Sequence, residues 1–325
     1  MKQTLMITLI LFVVFFNGLS LADNSSEGNE AFEMGKVYLR NKDIPQAFEW
    51  FKKAADQGDV NAQGMLGTMY YFGIGVDKDY KQAVEWYKKA ADQGHVNAQG
   101  MLGIMYYFGK GVDKDYKQAF EWYKKAADQG HVNAQGMLGT MYYFGIGVDK
   151  DYKQAFEWYK KAADQGHVNA QGMLGIMYYF GKGVDKDYKQ AFEWYKKAAD
   201  QGDADAQYQV GRMYHLGYGV DKNGKKSFLY MYKAAKQNKA EAQYLVGSHY
   251  KLGDHITRND KKAFEWFKKA ADQGQVDGQF RVGLMYYRGK GVDKDYKQAF
   301  EWFKKAADQG NEDAEIALIE HFDYP

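Results

Sequence analysis

The sequence predicts an all-α protein, an α/α solenoid of stacked helix pairs, and three observations carry that prediction. The string AADQG ends at Gly58, Gly94, Gly130, Gly166, Gly202, Gly274 and Gly310, with Asn238 in the one place left over, so every step is 36 residues. Self-similarity at such a period marks a repeat architecture. All seven tryptophans keep the same beat, at Trp50, Trp86, Trp122, Trp158, Trp194, Trp266 and Trp302, with Tyr230 in the remaining place. Proline is nearly absent: two residues in 325, against 36 glycines and 17% aromatic residues. A chain of helices and glycine-ended turns has that composition, because proline breaks a helix interior.

Taken from the start, residues 1–22 read as a secretory signal peptide. Lys2 precedes an uncharged apolar run over 5–16, and the small residues Ser20 and Ala22 stand ahead of a cut at Asp23. The 12-residue run falls short of the ~20 residues that span a bilayer. The mature chain is therefore expected to have no transmembrane span and to be periplasmic or secreted. Residues 23–28 read as a flexible leader. The repeats follow at 29–58, 59–94, 95–130, 131–166, 167–202, 203–238, 239–274 and 275–310, and residues 311–325 form a C-terminal capping helix.

Part of the likeness among repeats is copying. Residues 95–130 and 167–202 are identical, and 59–94 differs from 131–166 only at Asp59/His131 and Val84/Phe156. Repeats six to eight have diverged and are the better guide to what the unit requires.

Within the unit 59–94, Ala62, Leu66, Met69 and Tyr70 form one stripe of a first helix. The segment Phe72-Gly73-Ile74-Gly75-Val76 breaks it, since glycine permits the positive φ of a tight helix exit. Asp79 is expected to cap a second helix, with Gln82 completing a capping box. Ala83, Trp86, Tyr87 and Ala90 form that helix's buried stripe, and Glu85 and Lys89 pair on its exposed face. Gly94 is expected to end it in the left-handed region, which only asparagine replaces, at Asn238. Gly67 sits inside the first helix at a cost of ~1 kcal/mol, so close approach of the partner helix is expected there. One such pair cannot bury both stripes alone, so pairs must stack. Eight pairs at ~10 Å each would make a curved rod roughly 80 Å long.

The pattern carried by Ala62, Leu66, Gly67, Met69, Tyr70, Gly73, Gly75, Val76, Asp79, Tyr80, Ala83, Trp86, Lys89, Ala90, Ala91, Gln93 and Gly94 resembles the Sel1-like repeat, a relative of the tetratricopeptide repeat. The resemblance runs over residues 59–310, as seven repeats. The unit 29–58 departs from it: it is four residues shorter between Gly35 and Ala47 than its successor is between Gly67 and Ala83. It looks closer to a tetratricopeptide repeat and is expected to act as an N-terminal cap. The seventh unit has Gly253-Asp254-His255-Ile256-Thr257 in place of the loop. The resemblance implies a scaffold for protein–protein contact, with exported bacterial members linked to envelope organisation or host-cell interaction. A disulfide-stapled branch of the family resembles penicillin-binding or β-lactamase-like proteins. With no cysteine, this chain lacks that branch's signature.

The residues offer little for catalysis. The absence of cysteine excludes a thiol nucleophile, a thiolate zinc site and an iron–sulfur cluster. With 44 basic against 42 acidic residues, binding to nucleic acid through bulk charge is not expected. His95, His131 and His167 share one position, which could suggest a metal ladder, but Asp59, Asp203, Lys239, Gln275 and Asn311 fill the same place elsewhere. A polar residue at a helix start accounts for all of them. Asp77-Lys78-Asp79 lacks the glycine and terminal glutamate of an EF-hand loop. Gly73-Ile74-Gly75 follows a helix and no strand, unlike a nucleotide-binding loop. No catalytic residue, metal or cofactor is assigned, and a non-enzymatic protein is expected.

The candidate site is the rest of the first-helix surface, expected to lie off the buried stripe. In repeats two to five it comprises Met65, Thr68, Tyr71, Phe72, Met101, Ile104, Tyr107, Phe108, Met137, Tyr143, Phe144, Met173, Tyr179 and Phe180. In the later repeats Arg212, Lys251, Arg281 and Arg288 enter the strip. Exposed methionine and aromatic patches are common at binding surfaces. The expectation is a monomer holding a protein or peptide on its concave face, in an apolar groove that turns basic near the C-terminus. Packing of Met65 and Phe72 between repeats is the competing reading, and a purely structural spacer or a cysteine-less relative of the β-lactamase-like branch are competing functions.

Overall fold

The computed structural model describes residues 26–322. The chain divides into two compact units, Met1–Asp151 and Tyr152–Pro325. The first unit holds α1 (Ser26–Arg40), α2 (Ile44–Asp56), α3 (Val60–Phe72), α4 (Tyr80–Asp92), α5 (Val96–Phe108), α6 (Tyr116–Asp128) and α7 (Val132–Phe144). The second holds α8 (Tyr152–Asp164), α9 (Val168–Phe180), α10 (Tyr188–Asp200), α11 (Ala204–Leu216), α12 (Gly224–Lys236), α13 (Ala240–Leu252), α14 (Asp260–Asp272), α15 (Val276–Arg288), α16 (Tyr296–Ala307) and α17 (Glu312–Phe322). No strand occurs among the described residues. Within each unit every helix packs on the one before and the one after it, so each unit is a run of α/α solenoid. The expected signal peptide lies outside the described residues. The expected leader is corrected in part: α1 begins inside it, at Ser26.

The two helices of a repeat differ because their surroundings differ. The second helices are amphipathic: in α6, Ala119, Phe120, Trp122, Tyr123, Ala126 and Ala127 are buried and the lysines and acids face out. In repeats two to five the first helices are apolar nearly all round, and in α3 even Gln63, Gly64 and Met65 are buried. A helix covered by its own partner and by both neighbouring repeats has no fully wet face. The tryptophans join successive repeats, Trp86 packing with the α1–α3 residues and Trp122 with α4 and α5. Ala62, Leu66, Met69, Ala83, Trp86, Tyr87 and Ala90 are buried as the pattern required.

Two glycines set the spacing within and between repeats. A Cβ built on Gly67 would lie 2.5 Å from the Tyr87 ring, and one on Gly103 would lie 2.6 Å from Tyr123. Only a hydrogen lets the first helix approach that ring. Gly111 has φ +73°, and a Cβ there would lie 2.2 Å from the Tyr80 carbonyl oxygen of the preceding repeat. That glycine therefore meets a conformational demand and a steric one together. Asn238 adopts φ +69°, so the single replacement for the helix-ending glycine keeps the left-handed turn.

The expected capping box is half formed. Asp79 Oδ1 accepts from Lys81 N–H at 2.9 Å and Gln82 N–H at 3.1 Å. Gln82 does not reach back, because the Asp79 N–H is already donated to the Tyr70 carbonyl at 3.0 Å. Its amide instead donates to Glu85.

A line of buried glutamines ties the repeats together. Gln99 Nε2 donates to the Ala91 carbonyl at the end of the preceding repeat, 3.1 Å away. Its Oε1 accepts from Gln129 Nε2 at 2.8 Å, and Gln129 also reaches the Gly94 carbonyl at 3.2 Å. The arrangement recurs at Gln171 with Gln201, Gln207 with Gln237, Gln243 with Gln273 and Gln279 with Gln309. Carbonyls that a helix end leaves without intrahelical donors are thus satisfied across the repeat boundary.

Candidate functional site

The positions expected to form the strip fall into three environments. Met65, Tyr71 and Tyr143 are buried, which corrects the expectation that they lie off the packed surface. Met65 joins the core made with α1 and α2, and Tyr71 packs on the following repeat. The Tyr71 hydroxyl accepts from Lys110 Nζ at 2.8 Å, and that bond pushes the lysine's pKa up. Because each first helix is covered from both neighbouring repeats, residues outside the intra-repeat stripe are still packed.

Thr68, Met101, Ile104, Tyr107, Met137, Met173, Tyr179, Arg212 and Lys251 are half-buried. Thr68 Oγ1 donates to the Gly64 carbonyl at 3.0 Å and accepts from the Tyr87 hydroxyl at 3.1 Å. Burial pushes that tyrosine's pKa up. Tyr107 meets Tyr116 edge to face at 5.1 Å, and Tyr179 meets Tyr188 in the same way at 5.1 Å. These tyrosines fix the loop between the two helices of a repeat. Arg212 lies over the Tyr208 ring, 5.8 Å from its centroid.

What remains exposed is Arg281 and, in each repeat from the second on, the last residue of the first helix. In the first unit Phe72, Phe108 and Phe144 stand there, 42%, 60% and 59% exposed. In the second, Phe180 is 61% exposed, and Leu216 and Leu252 follow in the same place. Gly73, Gly109, Gly145 and Gly181 each leave the helix immediately afterwards in the left-handed region, and the chain turns away before it covers the ring. Phe108 is touched by Tyr107 at 5.0 Å and approached by Lys110 at 6.0 Å. Phenylalanines repeated at this exposure are an apolar surface that the fold itself does not use.

In the last repeat that position is Arg288, also exposed. Arg288 and Arg281 line a groove of about 130 Å³ with Lys251, Leu252, Leu284 and Lys290. The structure thus brings three of the four expected basic residues together, and Arg212 is not among them. Leu252 and Lys290 were not singled out in the sequence, although Leu252 holds the place of Phe72 and Lys290 that of Ile74.

His95 and His131 are helix N-caps: their Nδ1 atoms accept the Ala98 and Ala134 N–H groups, each at 3.1 Å. His167 does the same for Ala170. Burial lowers the pKa of all three. Among the described residues no group of three or more histidines and acids is placed to hold a metal ion, and no helix is long and apolar enough to cross a membrane.

The Sel1 repeat family model matches residues 28–59, 60–95, 96–131, 132–167, 168–203, 204–239, 240–275 and 276–311. It therefore takes in the short first unit as an eighth repeat. Among solved structures, a protective antigen present in uropathogenic Escherichia coli strains, displaying an SLR fold, is 38% identical with a TM-score of 0.86. The alignment covers 91% of this chain and 65% of that one, so this chain spans less than two thirds of the antigen's length. A Sel1 repeat protein from Oxalobacter formigenes is 36% identical with a TM-score of 0.71, over 90% of this chain and 86% of that one. Among curated proteins none matches.

Proposed function

This chain belongs to the Sel1 repeat family, whose stacked helix pairs generally serve as protein–protein interaction scaffolds, and from that premise we propose that it is an exported, non-catalytic scaffold. Its first-helix face holds a protein or peptide partner, in bacterial envelope organisation or in contact with a host cell. The observation that carries this reading is the pair of exposed rings at Phe108 and Phe144 of the first unit, about equally open, with Phe180 at the same repeat position in the second. Half-exposed aromatic side chains at one repeated position supply apolar area that a partner can bury. Export rests on residues 1–22, with their single charge, apolar run and small-residue exit. The host-contact reading draws support from the 38% identical Escherichia coli protein, which is a protective antigen.

The test is photo-crosslinking in the native cell, with a benzophenone amino acid at 108 or 144, followed by mass spectrometry. A defined protein partner is expected, and the double variant Phe108→Ser, Phe144→Ser should lose it without a change in melting temperature. An unchanged partner set in that variant would remove the apolar row from the interface. N-terminal sequencing of the exported protein should begin at Asp23.

A further inference from the structure

Resting on the scaffold reading, we propose that repeats seven and eight carry a separate site for an acidic peptide, in which a carboxylate side chain stands next to an apolar one. Two observations lead to it. The first is the groove itself. Lys251 and Leu252 come from α13, Arg281, Leu284 and Arg288 from α15, and Lys290 from the loop that follows. Its volume of about 130 Å³ is close to the ~150 Å³ that admits a benzene ring in an apolar protein cavity. One leucine-sized side chain therefore fits.

The second observation is what the same places hold in the other repeats. The equivalents of Arg281, Arg288 and Lys290 are Met65, Phe72 and Ile74 in the second repeat and Met137, Phe144 and Ile146 in the fourth. The eighth repeat puts arginine at the first two of these places, where no other repeat from the second on has a cation, and shares its lysine with Lys110 and Lys182 of the third and fifth repeats, while Val282 and Met285 keep the buried stripe intact. Arg281 and Arg288, both exposed, are particular to this repeat at their places, and such a change alters what the surface binds and leaves its fold alone.

Three of the four charges in the groove are not neutralised from within. Lys251 is paired with Asp260 at 3.0 Å. Among the described residues, no acidic side chain lies within ion-pair distance of Arg281, Arg288 or Lys290. Three cations gathered without an acid favour an anionic guest, and guanidinium groups bind carboxylates through two parallel hydrogen bonds. The guest must also suit Leu252, which is 76% exposed, and Leu284. A nucleic-acid backbone offers that leucine pair nothing apolar, whereas an acidic residue beside a leucine or phenylalanine satisfies both halves of the groove.

The experiment is fluorescence anisotropy on the full chain. The probes are an acetylated, fluorescein-labelled peptide of alternating glutamate and leucine, its glutamine-for-glutamate counterpart, and a single-stranded oligonucleotide of equal charge. The glutamate peptide should bind about tenfold or more tighter than the glutamine one, as loss of a charge-assisted bond implies. Arg281→Glu with Arg288→Glu should weaken it by a similar factor, again on the strength of charge-assisted pairing. Leu252→Ser should weaken it several-fold by removing the apolar contact. All three side chains are exposed, so the melting temperature should not move, and Phe108→Ser should leave this binding unchanged. Equal binding of the two peptides, tighter binding of the oligonucleotide, or indifference to the arginine changes would overturn the site. If partners crosslink at 108 while the peptide fails, the site falls and the scaffold reading stands. If the peptide binds through the arginines while no protein crosslinks, the scaffold reading falls.

Discussion

The imidazole of His255 fills the space that a side chain at Gly224 would need: a Cβ on Gly224 would lie 1.6 Å from His255 Nε2. Elsewhere the contact is built the other way round. Gly111 faces Tyr80, Gly183 faces Tyr152 and Gly219 faces Tyr188, with the glycine in the later repeat's loop and the tyrosine starting the earlier repeat's second helix. In the sixth and seventh repeats the glycine has changed sides. His255 stands in the loop at φ +61°, and its partner at the helix start has become Gly224. Each of these close approaches carries one glycine, on the loop side against a backbone carbonyl in three of them and on the helix side against the His255 ring in the fourth.

That exchange predicts a coupled pair of substitutions. Gly224→Tyr alone should destabilise by about 1–3 kcal/mol, the usual range for overpacking. His255→Gly alone should cost little, since glycine adopts the left-handed region without strain. The double variant should recover about 1 kcal/mol or more of the Gly224→Tyr loss, the coupling expected of residues in contact. A double-mutant cycle by urea unfolding measures it, and strict additivity would separate the two positions.

A second matched pair lies within one helix. Gly172 and Gly175 are both in α9, yet a Cβ at 172 meets nothing within 4 Å and one at 175 would lie 2.6 Å from the Tyr195 ring. Gly172→Ala should therefore stabilise by about 1 kcal/mol through helix propensity. Gly175→Ala should destabilise by about 1–3 kcal/mol despite the same propensity gain, because it overpacks the interface. Thermal denaturation of the two variants should move in opposite directions.

The repeat phase, the helix pairs and the role of Gly67 were legible in the sequence, because a 36-residue self-similarity gives many readings of one structural unit. The glycine turns were legible for the same reason, since Asn238 alone replaces one of them. The candidate strip was only partly so. A helical-wheel reading of α3 has one buried side, whereas α3 is packed against its own partner and both adjacent repeats. Nothing local in the sequence separates Met65 and Tyr71, which are buried, from Phe72, which is not. The basic end of the strip was legible in Lys251, Arg281 and Arg288, but Leu252 and Lys290 were not, because the groove's walls belong to two repeats and Leu252 acquires meaning only beside Arg281 and Arg288. The glutamine tether did leave a trace. Glutamine persists at both positions, 30 residues apart, in the sixth, seventh and eighth repeats, where much of the surrounding sequence has changed.

The tether predicts an asymmetry between its two members. Gln99 is buried and bonds both the Ala91 carbonyl and Gln129. Gln99→Leu should cost about 1–3 kcal/mol, the range for leaving a buried polar group unpaired. Gln129→Ala should cost less, about 1 kcal/mol, because that residue is exposed and water replaces part of what is lost. Hydrogen exchange should show the loss of protection in the Gln99 variant concentrated at the end of α4.

The three histidine caps predict an acid-sensitive component of stability. Nδ1 of His95 accepts an N–H and so must be unprotonated, and burial lowers the ring's pKa below its ordinary 6.5. The folded chain then binds fewer protons than the unfolded one wherever the unfolded ring is titrating. The stabilisation is complete above about pH 6.5 and declines as the pH falls toward the depressed folded value. His131 and His167 contribute in the same direction. Asparagine performs this capping without titrating, as Asn311 does for Ala314 at 2.8 Å. The triple variant His95→Asn, His131→Asn, His167→Asn should therefore melt close to the wild type at about pH 7.5 and should lose less melting temperature than the wild type on acidification to about pH 5. Some acid sensitivity should persist, because His249 is also held below its ordinary pKa by burial. An equal loss in both proteins would show that the caps carry none of the pH dependence.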